Sequence, residues 1–443
     1  MVQRKATEFL QSWKLREDRK PLVIRGARQV GKTWLMREFG KNSFERTAYI
    51  NFENNPRMAA LFSGTFDLDS LLLGLQIETG TEIIPGKTLL IFDEVQEVPS
   101  ALTSLKYFQE GEPGIPIIAA GSLLGVAMHS GTSFPVGKVE FLDLFPMSFP
   151  EFFLASGQAP LHDAIENLDF DLTNAFASTL KDLLKQYLFV GGMPEAVNSF
   201  VRSKDLSRVR KIQLDLLSAY EQDFSKHAPT SDVPRIRAVW NSLPAQLARE
   251  NRKFIYGLVR TGARAREYEL AIQWLQDCGL IHKVHRISKP GIPLSAYRDS
   301  AAFKLYANDV GLLCASGALD PETLLRGNDL FTEFKGAVTE QFVLQQLISH
   351  AGLKPYYWSS DKGSAEVDFV METDQKVFPL EVKASENLQA KSLKTFETRY
   401  NPGTSFRTSL SPFRVQERLI NVPLYAVHEI ASVIAGNCYS KED

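Results

Sequence analysis

Between residues 26 and 33 the chain reads Gly26-Ala27-Arg28-Gln29-Val30-Gly31-Lys32-Thr33: a glycine, four residues, then Gly-Lys-Thr. A triphosphate must be wrapped by backbone N–H groups that no side chain obstructs, and glycines at Gly26 and Gly31 permit that approach and its unusual dihedrals. Lys32 is placed to reach the β- and γ-phosphates and the Thr33 hydroxyl to ligate Mg²⁺. The apolar run Pro21 to Arg25 before the motif reads as a buried strand. Trp34 to Phe39 continues as a helix that Gly40 can cap, its positive dipole end facing the anion. Strand, loop and helix together define a P-loop, with the nucleotide lying against Gly26 through Trp34.

A second motif sharpens this reading. Leu89-Leu90-Ile91-Phe92-Asp93-Glu94 is an apolar run ending in two acids, as a buried parallel strand with carboxylates at its carboxyl end would read. Asp93 is expected to hold the magnesium shell and Glu94 to polarise the attacking water. Adjacent acids of this kind resemble the additional-strand, catalytic-glutamate class of P-loop ATPases, in which another strand separates the P-loop strand from the acidic one. The resemblance favours ATP as the nucleotide. The intervening strand is expected at Ile115 to Ala120, ending at Gly121-Ser122. In that class a polar side chain there senses the γ-phosphate, which makes Ser122 the candidate, while a helix N-cap role suits it equally.

A third constellation lies near the other end. Phe334 to Leu347 has helical periodicity and contains Glu340. Glu366 to Met371 reads as a strand carrying Asp368, and Val377 to Lys383 as the next strand, carrying Glu381 and Lys383. A helix glutamate, a strand aspartate and a strand Glu-x-Lys resemble the restriction-endonuclease-like PD-(D/E)xK fold. Period-two alternation sends Glu381 and Lys383 to one face. There Asp368 and Glu381 are candidate Mg²⁺ ligands, Glu340 a third, and Lys383 a group to orient or deprotonate the water attacking a phosphodiester. Acid–lysine alternation is more often a solvated face with cross-strand ion pairs.

The elements between these sites give further order. Leu144-Phe145-Pro146-Met147-Ser148-Phe149 with Glu151-Phe152, preceded by Gly137-Lys138, resembles the signature of a widespread prokaryotic AAA-type ATPase family whose C-terminal half is the DUF4143 domain. Gly191-Gly192-Met193-Pro194-Glu195 and Lys304-Leu305-Tyr306 with Asp309 and Gly311-Leu312-Leu313 match further family runs, best explained as caps and packing turns. Many members carry Gly-Arg at Gly137-Lys138, and the lysine here keeps the charge without the bidentate fork. Helical patterns at Pro234 to Leu247, Lys253 to Val259 and Arg264 to Gln276, then a strand at Gly279 to Ile287 and Lys289-Pro290-Gly291, outline a winged helix. Arg252, Lys253, Arg260, Arg264, Arg266, Lys283 and Arg286 cluster there, diluted by Glu267, Glu269 and Asp277.

The expected fold class is therefore α/β: a P-loop ATPase with a parallel sheet (1–155), a helical linker region (156–230), a winged-helix-like domain (231–290) and a DUF4143, restriction-endonuclease-like domain (291–443). A chain of 443 residues is long enough for several cores. The net charge of −2 gives no global pull toward nucleic acid or anionic membrane, so such contacts need a local patch. The cysteines Cys278, Cys314 and Cys438 form neither a CxxC pair nor a disulfide framework, and residues 1–20 lack an apolar leader segment, so a cytoplasmic protein without a membrane span is expected. His282 and His285, at odd spacing on a strand, point to opposite faces and do not suggest a shared metal.

Three functions are compatible with these motifs. The first is an ATP-hydrolysing molecular switch, with Mg²⁺ and ATP as cofactors, coupled to a winged helix and a nuclease-fold domain and acting on DNA. The second is an ATP-controlled, metal-dependent DNA nuclease. The third is a non-catalytic regulator whose degenerate nuclease fold grips DNA or a protein partner. A homo-oligomer is compatible with all three.

Overall fold

The computed structural model describes residues 4–64, 66–122, 124–127, 135, 137–249, 253–326, 332–360, 365–373, 375–385 and 391–436. Arg252 and Cys438 lie outside these residues. Two compact units result: one spans Gln3–Phe145 with Gln273–Leu280, the other Pro146–Ile272 with Ile281–Asp443 and Met1–Val2. No helix among the described residues is long and apolar enough to cross a membrane.

The first unit is built on a five-stranded parallel sheet: β1 (Leu22–Arg25), β2 (Arg46–Asn51), β3 (Thr88–Asp93), β4 (Ile117–Ala120) and β5 (Glu140–Asp143), in spatial order β2-β3-β4-β1-β5. β4 pairs with β1 through Leu22↔Ile118 and with β3 through Asp93↔Ala120, so one strand separates the P-loop strand from the acidic one, as the sequence implied. Every residue of β3 and β4 is buried, as expected of parallel strands covered by helices on both faces. The core beside β3 is a chain of edge-to-face aromatics in which Phe92 meets Phe52, Phe62 and Phe108 at centroid distances of 5.4, 5.9 and 6.3 Å. Each such fully buried ring contributes about 1.5–3 kcal/mol of apolar burial, which fixes the strand that carries the acids.

The helix after the P-loop runs Lys32–Ser43 and passes through Gly40 instead of ending there. The reason is close approach. A Cβ on Gly40 would stand 2.6 Å from Thr47 Oγ1 of β2, so the glycine lets helix and strand pack and caps nothing.

The second unit begins with helices that the sequence left largely unspecified, including Ala177–Val190, Pro194–Ser203 and Leu206–His227. Beyond them stand Val233–Leu247, Tyr256–Val259 and the helix Ala265–Asp277, whose residues from Gln273 on are counted with the first unit, close to the helices expected for a winged helix. An eight-stranded mixed sheet follows: β6 (Ile281–Ile287), β7 (Arg298–Ala307), β8 (Tyr356–Ser359), β9 (Glu366–Thr373), β10 (Lys376–Val382), β11 (Ser405–Ser409), β12 (Arg414–Gln416) and β13 (Leu419–Pro423). Its order is β12-β13-β11-β10-β9-β8-β6-β7. The strand expected at Gly279 to Ile287 is β6, and its hairpin with β7 forms the edge of this sheet, because β6 also pairs in parallel with β8 through Arg286↔Tyr357 and Ile287↔Trp358.

The family runs tie the second unit together. Ser148 and Glu151 form a capping box that starts the helix Phe149–Ala155. The Tyr187 hydroxyl and the Gly192 carbonyl grip Met147 O and Met147 N respectively. Gly192 N donates to Asp309 Oδ2 over 2.6 Å, and Leu312 N donates to Asp309 Oδ1 over 3.0 Å. Phe149 N donates to Gln346 Oε1 over 2.8 Å. These residues are packing turns and caps, as their sequence context suggested.

Candidate functional site

The P-loop connects β1 to the helix Lys32–Ser43 with the backbone it needs. Gly26, Gln29 and Gly31 have φ of 149°, 66° and 96°. A Cβ on Gly26 would sit 2.2 Å from Leu144 O, so only glycine allows the loop to leave the sheet there. Ala27 and Val30 are buried and anchor the loop, Arg28 and Gly31 are half-buried, and Gln29, Thr33 and Trp34 face solvent. A brace not apparent in the sequence lies behind it. The buried Arg4 guanidinium donates to Val30 O over 2.9 Å and to Phe145 O over 2.7 Å, tying the loop to the segment after β5.

Lys32 is only 7% exposed, and its ammonium donates to Gly26 O and Ala27 O, both at 2.9 Å, folding the side chain back across the loop. Burial pulls its pKa down to about 8, against the opposing pull of Glu94 and Asp93. A buried ammonium held by two loop carbonyls can exchange them for anionic oxygens, whose charge would raise its pKa again.

Opposite the loop, the acids of β3 converge. Thr33 Oγ1 donates to Asp93 Oδ2 over 2.7 Å, which brings together the hydroxyl and carboxylate expected to share a magnesium shell. Glu94 adopts φ of 51° at the strand's end, and its N–H donates to Asp93 Oδ1 over 3.1 Å. Glu94 Oε2 accepts from Gln96 Nε2 at 2.7 Å and from Ser122 Oγ at 3.3 Å. Ser122, at the end of β4, thus stands beside the second acid. Gln96 was not singled out by the sequence, nor was Tyr49, whose hydroxyl donates to Asp93 Oδ2 over 2.9 Å. A polar side chain on the strand next to the acidic one was the available signal for Tyr49. Lys138, discussed above for its charge, pairs with Glu110 at 2.9 Å on the surface.

In the second unit, the expected acids also cluster. β9 carries Glu366 and Asp368, two residues apart and hence on one face. The β9–β10 ladder ends at Leu380↔Phe369, and beyond it Asp368 Oδ2 accepts from Val382 N over 2.8 Å in place of a backbone carbonyl. Lys383 Nζ lies 2.6 Å from Glu381 Oε1. Glu381 is 5% exposed, and its Oε2 has no hydrogen-bond partner among the described residues. Burial, then the Asp368 charge, pushes its pKa up to about 7, with Lys383 and Lys304 opposing. Glu340 is engaged differently: its Oε1 accepts from the Tyr306 hydroxyl and lies 3.1 Å from Lys304 Nζ, which also reaches Glu366 Oε1 at 2.6 Å. Lys304 entered the sequence reading only as part of a family run.

Sheet order, loop and acid pair define a P-loop nucleotide-binding core of the AAA type. The sequence matches the AAA domain over residues 18–153, DUF4143, a domain of unknown function, over 335–427, and a further domain of unknown function, DUF8612, over 181–323. The chain thus carries an AAA domain near its start and a DUF4143 domain toward its end. No curated protein matches it. Among solved structures it is similar to the Walker-type ATPase PABY2304 of Pyrococcus abyssi, at 15% identity and a TM-score of 0.44, covering 72% of this chain and 96% of that one. It is also similar to the Aeropyrum pernix ORC1 protein in complex with DNA (14% identity, TM-score 0.25, 71% and 91% covered). A third is Cdc6p from Pyrobaculum aerophilum (12% identity, TM-score 0.24, 72% and 92% covered).

Proposed function

We propose that this protein binds and hydrolyses ATP with Mg²⁺ as a molecular switch. The observation that carries this reading is the 2.7 Å contact between Thr33 and Asp93 beside a buried Lys32 that folds across the loop. The loop's N–H groups hold the phosphates, and Lys32 exchanges its two carbonyl partners for β- and γ-phosphate oxygens. Thr33 and Asp93 would hold magnesium, which neutralises phosphate charge when bound. Glu94 orients a water toward the γ-phosphate, and Ser122, already beside it, lies where the terminal phosphate ends. The Gln96 and Ser122 hydrogen bonds keep the Glu94 carboxylate directed to the end of β4 until the nucleotide enters. Glu94→Gln should lower kcat by about 100-fold or more and leave nucleotide affinity nearly unchanged. Unchanged turnover would remove Glu94 from the chemistry.

A second reading concerns DNA. Arg260, Arg264 and Arg266 are exposed around the start of the helix Ala265–Asp277, and none of them makes an ion pair among the described residues. Cations without carboxylate partners beside a hairpin suit a phosphate backbone. In the same unit, the unpartnered buried oxygen of Glu381 beside Asp368 fits a cation, and Asp368 and Glu381 would hold it while Lys383 orients water. Glu340 is the less available ligand, being held by Lys304 and Tyr306. Plasmid nicking with Mn²⁺, compared with Lys383→Ala, tests cleavage: loss of nicking in the variant supports it, and no nicking in the unsubstituted protein rejects it. The switch, the nuclease and the non-catalytic regulator are separated by these two assays.

A further inference from the structure

We propose that Tyr49 is a positioning residue for Asp93 and sets the affinity of the nucleotide site for magnesium, with Arg37 holding the Tyr49 ring in place. This rests on the Mg·ATP reading above and extends it to a strand outside the recognised motifs.

The geometry starts from sheet register. β2 lies beside β3 in parallel, with Tyr49↔Ile91 and Asn51↔Asp93, so Tyr49 stands two residues short of the level of Asp93. A phenol is long enough to bridge that offset, and its hydroxyl donates to Asp93 Oδ2 over 2.9 Å. A carboxylate has about four acceptor sites. Three are accounted for here: Oδ1 takes the Glu94 N–H, and Oδ2 takes the hydroxyls of Thr33 and Tyr49. Both oxygens are therefore held, and the plane of the carboxylate is fixed before any metal arrives. Asp93 would then meet a metal's shell with its carboxylate already oriented.

Without Tyr49, Oδ2 would keep only Thr33, the residue that must also serve the metal, and the carboxylate could turn about its Cβ–Cγ bond. Pre-orientation by a group with no other duty avoids that loss. The donor is also constant. A tyrosine hydroxyl, with an ordinary pKa of about 10, keeps its proton through the neutral range. Arg37, one turn beyond Thr33 on the P-loop helix, places its guanidinium 3.8 Å from the Tyr49 ring centroid. The stack pins the ring from the helix that also carries Lys32 and Thr33.

The test is a Mg²⁺ titration of a fluorescent ATP analogue bound to the full chain, for the unsubstituted protein, Tyr49→Phe and Arg37→Ala. Tyr49→Phe keeps the ring and its stack and removes only the hydroxyl. The Mg²⁺ concentration for half-saturation should rise about 5–10-fold in Tyr49→Phe and by less in Arg37→Ala. Analogue binding in EDTA should stay the same, which a general loss of folding would not allow. An unchanged or lower Mg²⁺ requirement in Tyr49→Phe overturns the positioning role while the ATP reading stands. If the unsubstituted protein binds no analogue, the ATP reading itself fails and this inference falls with it.

Discussion

The Lys304 ammonium lies 3.1 Å from Glu340 Oε1, and both side chains are sealed from solvent, at 0% and 1% exposure. Lys304 and Tyr306 are two residues apart on β7, so both reach the same glutamate from one strand face. The second unit thus supplies its own cation to a buried acid.

Lys304→Met should be among the most damaging single substitutions in the second unit. It leaves Glu340 and Glu366 without their counter-charge, at a cost of about 3–5 kcal/mol. The double variant Lys304→Met/Glu340→Gln should recover part of that loss, because the fully buried acid is then neutral and only the partly exposed Glu366 stays charged. Urea unfolding followed by circular dichroism measures both. Equal stability of single and double variants would show that the pair is not the source of the loss.

The P-loop half of the fold was largely legible because its signals are local. Gly26, Gly31, Lys32 and Thr33 lie within eight consecutive residues, and Asp93 and Glu94 end a short apolar run. Groups that meet through sheet register were not legible. Tyr49 reaches Asp93 only because β2 sits beside β3, and Arg4 reaches Val30 across 26 residues of sequence. The edge strand β5 hid inside a family run, since Glu140-Phe141-Leu142-Asp143 is polar at both ends. The pairing of β6 with β8 spans two residue pairs across an interval of about seventy residues, which no local pattern encodes. For the same reason Lys304 read as part of a turn marker, although its partners lie on a distant helix and strand.

Stability should depend on pH through Glu381. Its folded pKa, pushed up to about 7, lies above the ordinary 4.5, so the folded state holds a proton that the unfolded state gives up between those values. The contribution is present in full below about pH 4.5 and is lost as pH rises through 7. Melting temperatures between pH 5 and pH 8 should therefore fall more steeply for the unsubstituted protein than for Glu381→Gln, which cannot titrate. A divalent cation at Asp368 and Glu381 would take the proton's place and flatten the profile of the unsubstituted protein. Parallel profiles for the two proteins without metal would contradict the burial of an ionisable Glu381.

Lys32 links nucleotide binding to pH in the opposite sense. Its pKa, lowered to about 8, leaves part of the population neutral at pH 8.5, and phosphate charge should draw the proton back. Calorimetry with Mg·ATP at pH 8.5, in buffers of different ionisation heat, should show saturable binding with net proton uptake that disappears at pH 6.5. Lys32→Ala should lose the uptake and weaken binding by roughly 10–100-fold. No saturable heat from the unsubstituted protein, or the same affinity and proton uptake in Lys32→Ala, would mean that no triphosphate lies in the loop after β1.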